Sequence, residues 1–127
     1  MERSEKLARM GFATYSDYLA SNLWAAIRTR VLERDNCTCC VCKREAETVH
    51  HKKYDDATMD GRRIDTMVSL CNACHYAIEF GDCGNKTGLR EANRRLATLV
   101  KSFAVIAERK ARLMKKQPLR LKWRVQR

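Results

Sequence analysis

At 127 residues, with 26 Lys and Arg against 15 Asp and Glu, the chain carries a formal charge of +11 and has room for one small domain with an appended tail. No apolar run approaches the ~20 residues that span a bilayer, and the opening MERSEKLARMGF lacks the apolar segment of a secretory signal, so a soluble, intracellular, cytoplasmic chain is expected. The positive excess points to a polyanionic partner, nucleic acid first; a merely solubilising tail and an acidic membrane surface are the weaker alternatives.

Residues 1–13 are polar and without sustained periodicity, a short helix or a loose segment. Ser21 is a good N-cap, and Trp24, Ile27 and Val31 share one face of a helix that runs to about Arg34. Asp35-Asn36 stops it. A cysteine-rich turn follows at 37–42, and Thr48-Val49 reads as a strand leading into His50 and His51. The polar stretch 52–65 reads as a loop. TMVSL (66–70) is a short strand or turn, and a helix is expected from Asn72 to about Phe80, with Gly81 at its cap. The segment GDCGNKTG is a loop. From Leu89 to about Lys116 the pattern is helical. Leu89, Leu96 and Phe103 recur every seven residues, as do Ala92, Leu99, Ile106 and Leu113, which suits packing on the same domain or a dimer seam. Pro118 ends the helix. The tail LRLKWRVQR alternates apolar and mostly basic residues, as a strand or a disordered arm would. From Arg109 to Arg127 there are nine Lys or Arg and no acid.

Seven cysteines, odd in number and clustered, argue for metal rather than disulfides in an intracellular chain. Cys39-x-x-Cys42 and Cys71-x-x-Cys74 can each hold one side of a tetrahedral ion, and four thiolates suit Zn²⁺. A redox dithiol would need only one such pair. Cys37-x-x-Cys40 has the same spacing; 39/42 is preferred because Lys43-Arg44 follow where the chain must turn away. Four thiolates and one divalent ion together remove only two charges from the excess of +11.

The loop closed between residues 39 and 74 contains both adjacent histidines. Neighbours on a strand point to opposite faces, so each imidazole needs its own role. On a helix, His75 and Glu79 lie one turn apart on one face. With His50 they offer three N/O ligands to a catalytic divalent ion. His51 points the other way unless the strand bends, and a neutral imidazole there is a good base near pH 7. Against this stands the plainer reading of surface histidines or a spare zinc ligand.

RDNCTCCVC, VHHKKY and LCNACHYAIE, with the upstream YSDYLASNLWAAIRTRVLERD, resemble the HNH endonucleases, specifically the stand-alone zinc-stapled type of phages and bacteria. The resemblance covers residues 15 to 80. It implies an α+β protein built on a small ββα-metal core with two CxxC knuckles, a lead-in helix and a long C-terminal helix. On that reading 1–14 is an N-terminal extension, 15–82 the nuclease domain, 83–117 a linker with the long helix, and 118–127 a basic tail. Cys39, Cys42, Cys71 and Cys74 would hold structural zinc. His50, His75 and Glu79 would hold Mg²⁺ or Mn²⁺, with Zn²⁺ or Ni²⁺ as alternatives, and His51 would be the general base. The family's middle Asn falls on Thr66, a departure; its hydroxyl, or the Asp65 carboxylate, would have to substitute. The expected partner is DNA, met by Arg28, Arg30, Arg34, Lys52, Lys53, Lys122 and Arg124, with Trp123 stacking on a base or packing on the helix. No membrane partner is expected, and the chain would act as a monomer or as a homodimer through the C-terminal helix. The competing readings are a zinc-stapled DNA-binding module that has lost catalysis, and an RNA-directed or structural protein that assembles through the long helix.

Overall fold

The computed structural model describes residues 3–80 and 84–116. It is a mixed structure of helices and one small antiparallel sheet. In chain order it runs α1 (Arg3–Arg9), α2 (Tyr15–Leu19), α3 (Asn22–Arg34), β1 (Thr48–His51), α4 (Asp56–Met59), β2 (Met67–Leu70), α5 (Asn72–Glu79) and α6 (Leu89–Lys115). Among the described residues no helix is long and apolar enough to cross a membrane. The expected cap at Gly81, the helix stop at Pro118, Cys83 and the tail with Lys122, Trp123 and Arg124 lie outside the described residues.

Helix α3 forms for the reasons the sequence supplies. The Ser21 hydroxyl accepts from Trp24 N, satisfying one of the free N–H groups of the first turn. Trp24, Ile27 and Val31 are buried along one face. After Asp35 the chain takes left-handed conformations at Asn36 (φ 53°) and Cys37 (φ 52°), which end the helix and turn the backbone into the cysteine knuckle. The end of α3 is then tied to β2. Arg34 pairs with Asp35 at 2.8 Å and donates to the carbonyls of Ile64 and Met67. Asp35 accepts from Ser69 N, and Arg34 beside it holds its carboxyl below the usual carboxylate range.

β1 and β2 pair antiparallel, with Thr48 opposite Leu70, Val49 opposite Ser69, His50 opposite Val68 and His51 opposite Met67. Because side chains alternate, this register divides the sheet between two cores. Val49 and Met67 join Leu7, Tyr18, Trp24, Ile27, Val31 and Met59 on one side. Leu70 joins Cys39, Cys71, Cys74, Ile78, Ala92 and Leu96 on the other. Both flanking segments thus contribute: α1 buries Leu7, and the first half of α6 buries Ala92 and Leu96.

The stretch 52–65, expected to be a loop, contains α4. Four residues give no readable period, but Asp55 caps the helix by accepting from Thr58 N, and Met59 is fully buried with its carbonyl accepting from the Tyr18 hydroxyl. The long-helix stripe divides as well. Ala92 and Leu96 pack on the domain, whereas Phe103, Ile106 and Leu113 are exposed. Leu96 is therefore already covered by the domain itself.

Gly61 follows α4 at φ +83°, and a Cβ there would lie 2.7 Å from Ile27 Cγ1. Its carbonyl also accepts from Arg30 Nη1 at 2.8 Å. Left-handed strain and a clash with a core side chain add, so Gly61→Ala should lower stability by about 2–4 kcal/mol in urea unfolding.

Candidate metal centres

The first knuckle is a reversal from Thr38 to Glu45, closed by an isolated β-bridge between those two residues. Lys43 adopts φ +67° and its N–H returns to the Cys39 carbonyl, so the chain does turn at the Lys-Arg pair. The second knuckle joins β2 to α5. Cys71 is the N-cap of α5, its sulfur accepting from Cys74 N at 3.4 Å.

These two turns bring the sulfurs of Cys39, Cys42, Cys71 and Cys74 within 4.8 Å of one another, a group that can hold a structural metal such as zinc. Cys42 Sγ and Cys71 Sγ lie 3.6 Å apart, close to the ~3.8 Å edge of a tetrahedron with Zn–S bonds of about 2.3 Å. None of the four is in a disulfide. Burial pushes the Cys39 thiol up, but the backbone N–H groups of Cys42, Cys71 and Val41 outweigh it and bring it down to about 7. Burial and the neighbouring thiols hold Cys74 well above the normal range. One sulfur ionises readily and another resists, as expected of a donor set that needs a cation before all four can be thiolates. Cys37 and Cys40 stand outside the cluster, which decides between the two possible CxxC pairs in favour of 39/42.

The second group is nitrogen and oxygen. His75 and Glu79 occupy one face of α5, with His75 Nε2 3.2 Å from Glu79 Oε1. His50, on the face of β1 turned towards α5 and α6, places Nδ1 3.8 Å from the same oxygen. One ligand atom from each of the three lies within 4.8 Å of the others. Two of the supporting residues were not singled out in the sequence. Thr48 Oγ1 meets His75 Nδ1 at 3.2 Å, and Asn93 Oδ1 on α6 meets His50 Nε2 at 2.9 Å. A strand residue two before His50 could have been proposed from the side-chain alternation. Asn93, 43 residues away, gives no local signal.

His51 sits on the other face of a regular strand. Its ring is stacked 4.6 Å from Trp24 and 5.3 Å from Tyr54, and its Nδ1 is 3.3 Å from the Tyr15 hydroxyl. Nε2 is buried without a hydrogen-bond partner, alone among the buried side-chain nitrogens and oxygens of the described residues. The two faces nevertheless meet at the free edge of β1. A cleft of about 250 Å³ there is lined by His51, Tyr54 and Arg28 together with Thr48, His75 and Glu79. It adjoins a larger one of about 660 Å³, with which it shares Tyr15, Tyr54, Glu79 and Lys86.

Other expected site residues lie elsewhere. Thr66 is buried with its hydroxyl 2.6 Å from that of Thr58 and its carbonyl accepting from Lys52 N. It braces the β1–β2 connection. Asp65 is paired with Arg63 at the surface. Arg30 and Arg34 donate to backbone carbonyls within the fold. Arg28 donates to the Glu47 carbonyl but also lines the cleft. Comparison with protein-family models, with curated proteins and with solved structures returns no match.

Two predictions follow from this geometry. Cys37→Ser and Cys40→Ser should each keep their full zinc content in elemental analysis of the purified protein, whereas Cys39→Ser and Cys71→Ser should lose it. Burial, with His50 and Arg3 nearby, holds the His51 pKa down to about 4. The unfolded chain, with an imidazole near 6.5, therefore takes up that proton first as pH falls. Stability from this residue is full above about 6.5 and lost towards 4. His51→Phe removes the titration and the unpaired nitrogen. Relative to wild type, the variant should gain about 2–3 kcal/mol between pH 6.5 and 4 in parallel urea titrations.

Proposed function

We propose that the protein is a metal-dependent DNA endonuclease with the ββα-metal core of the HNH enzymes: β1 and β2 as the two strands and α5 as the helix. The single observation behind this reading is the convergence of His50, His75 and Glu79, on a scaffold closed by four cysteines, with His75 and Glu79 also lining a cleft that His51 lines. Two imidazoles and one carboxylate, with room for further ligands, suit Mg²⁺ or Mn²⁺. A divalent ion so held supplies Lewis acidity and charge stabilisation at a phosphate.

The chain's own residues do the rest. With Nδ1–H given to the Tyr15 hydroxyl, the His51 lone pair is on Nε2, which is buried in the wall of the cleft, so the aromatic wall must move to open it to water before it acts as the base. Nε2 then takes a proton from the water that attacks phosphorus in line with the leaving 3′ oxygen. The aromatic cage fixes the ring plane and keeps it neutral at physiological pH. Arg28 at the cleft, and Arg3 stacked 4.2 Å from the centre of the Tyr15 ring in the adjoining cleft, offer cations to the neighbouring phosphates. The net charge of +11 supports a polyanionic substrate and makes binding salt-sensitive.

One observation favours a second reading, a zinc-stapled DNA-binding module without catalysis. Thr66, which falls where a bracing amide is expected, spends its hydroxyl on Thr58. Supercoiled plasmid with Mg²⁺ or Mn²⁺ separates the two. Wild type should nick or linearise it. His51→Ala should cut at least ~10²-fold more slowly while binding DNA and holding zinc as wild type does. His75→Ala should lose the divalent-ion dependence and keep the zinc. Plasmid untouched by wild type, or cut equally well by His51→Ala, overturns the assignment.

A further inference from the structure

Asn93 makes two hydrogen bonds whose polarity can be assigned without seeing a proton. Its Nδ2 lies 3.0 Å from the Lys52 carbonyl oxygen, which can only accept. The amide nitrogen must therefore face Lys52, and Oδ1 must face His50 Nε2 at 2.9 Å. An amide oxygen also only accepts, so His50 must carry its proton on Nε2. The ring's lone pair is then on Nδ1, the nitrogen that points at Glu79 Oε1.

We propose that Asn93 is the positioning residue of the His50–His75–Glu79 site. It selects the His50 tautomer that offers Nδ1 to a divalent cation and, through Lys52, anchors the chain directly after His51. The proposal rests on the reading of these three residues as cation ligands given above. It also gives α6 a role. The helix packs on α5 through Ala92 and Leu96, residues that flank Asn93, so the amide is delivered to the ring by a rigid element rather than by a loop. A ligand histidine whose other nitrogen is held in this way is better oriented and more basic, and removing such a partner typically weakens metal binding 10–100-fold.

The test compares Asn93→Leu with Asn93→Asp in the zinc-loaded full chain. Leucine removes both bonds. Aspartate keeps an acceptor for His50 Nε2–H but cannot donate to Lys52. If Asn93 sets the tautomer, ¹⁵N NMR before any second ion is added should show His50 as the Nε2–H form in wild type and Asn93→Asp, and as a mixture in Asn93→Leu. Mn²⁺ titration followed by EPR should then show a loss of about 10–100-fold for Asn93→Leu. A role in pinning the Lys52 carbonyl alone predicts that the two variants behave alike, and that result overturns the proposal. So does a wild-type His50 protonated on Nδ1, an observation that needs no variant to fold. Wild type that takes up no Mn²⁺ would sink the nuclease reading and the cation role with it. The tautomer assignment would still be decided by the NMR comparison.

Discussion

Four sulfurs cannot sit within 4.8 Å of one another as thiolates unless a cation lies among them, and the rest of the molecule is arranged around that requirement. The clamp joins the knuckle after α3 to the turn between β2 and α5. It thereby sets where α5 begins. Cys71 caps the helix, Cys74 faces the sulfur cluster, His75 comes next, and Glu79 follows one turn later on the same face as His75. The same turn sets the end of β2, whose antiparallel register with β1 then fixes His50 and His51. A domain this small has limited apolar surface to bury, and a metal held by these four cysteines would do what a larger core otherwise does.

The side-by-side histidines acquire opposite surroundings from one strand. His50 faces polar partners with both nitrogens engaged, Nε2 by Asn93 and Nδ1 towards Glu79. His51 faces an aromatic cage that leaves Nε2 unpaired. Burying an unpaired polar atom costs about 1–3 kcal/mol, and a Phe would fill that cage at less cost to the fold. Stability alone does not account for an imidazole here, whereas the proposed chemistry in the cleft would. With only two strands, β1 has a free edge, and Thr48 from one of its faces and His51 from the other both line the cleft beside it.

Local rules made much of this legible. The Ser21 cap and the Trp24, Ile27, Val31 face specify α3, the paired CxxC spacing specifies the sulfur cluster, and the i, i+4 relation specifies His75 with Glu79. What was not legible is tertiary or too short. α4 depends on one cap and one buried methionine, below the length at which periodicity exists. Thr66 could be placed near the site by counting residues, but its Thr58 partner is set by how the 52–65 segment closes. The arginines of α3 looked free in the sequence because nothing in it shows which carbonyls their guanidinium groups meet. Asn93 lies on a helix whose apolar repeat drew attention to its leucines. An amide on the flank of that stripe has no signature until the helix is docked.

That docking separates α6 into two parts with different physics. Up to Leu99 the helix buries its stripe against α5 and the sulfur cluster, and it carries Asn93 to His50. Beyond that, Phe103, Ile106 and Leu113 repeat the pattern with nothing of the described chain beneath them, while Lys101, Arg109, Lys110, Arg112 and Lys115 accumulate alongside. Helix propensity and hydrogen bonding continue a helix past the end of its support, because each added residue needs only propagation and not a new nucleus. The proximal half is therefore held by the site as much as it holds the site. Ala92 and Leu96 share one core with Cys39, Cys71, Cys74 and Leu70 of β2, so the seating of α6 couples the Asn93–His50 bond to the sulfur cluster and the sheet.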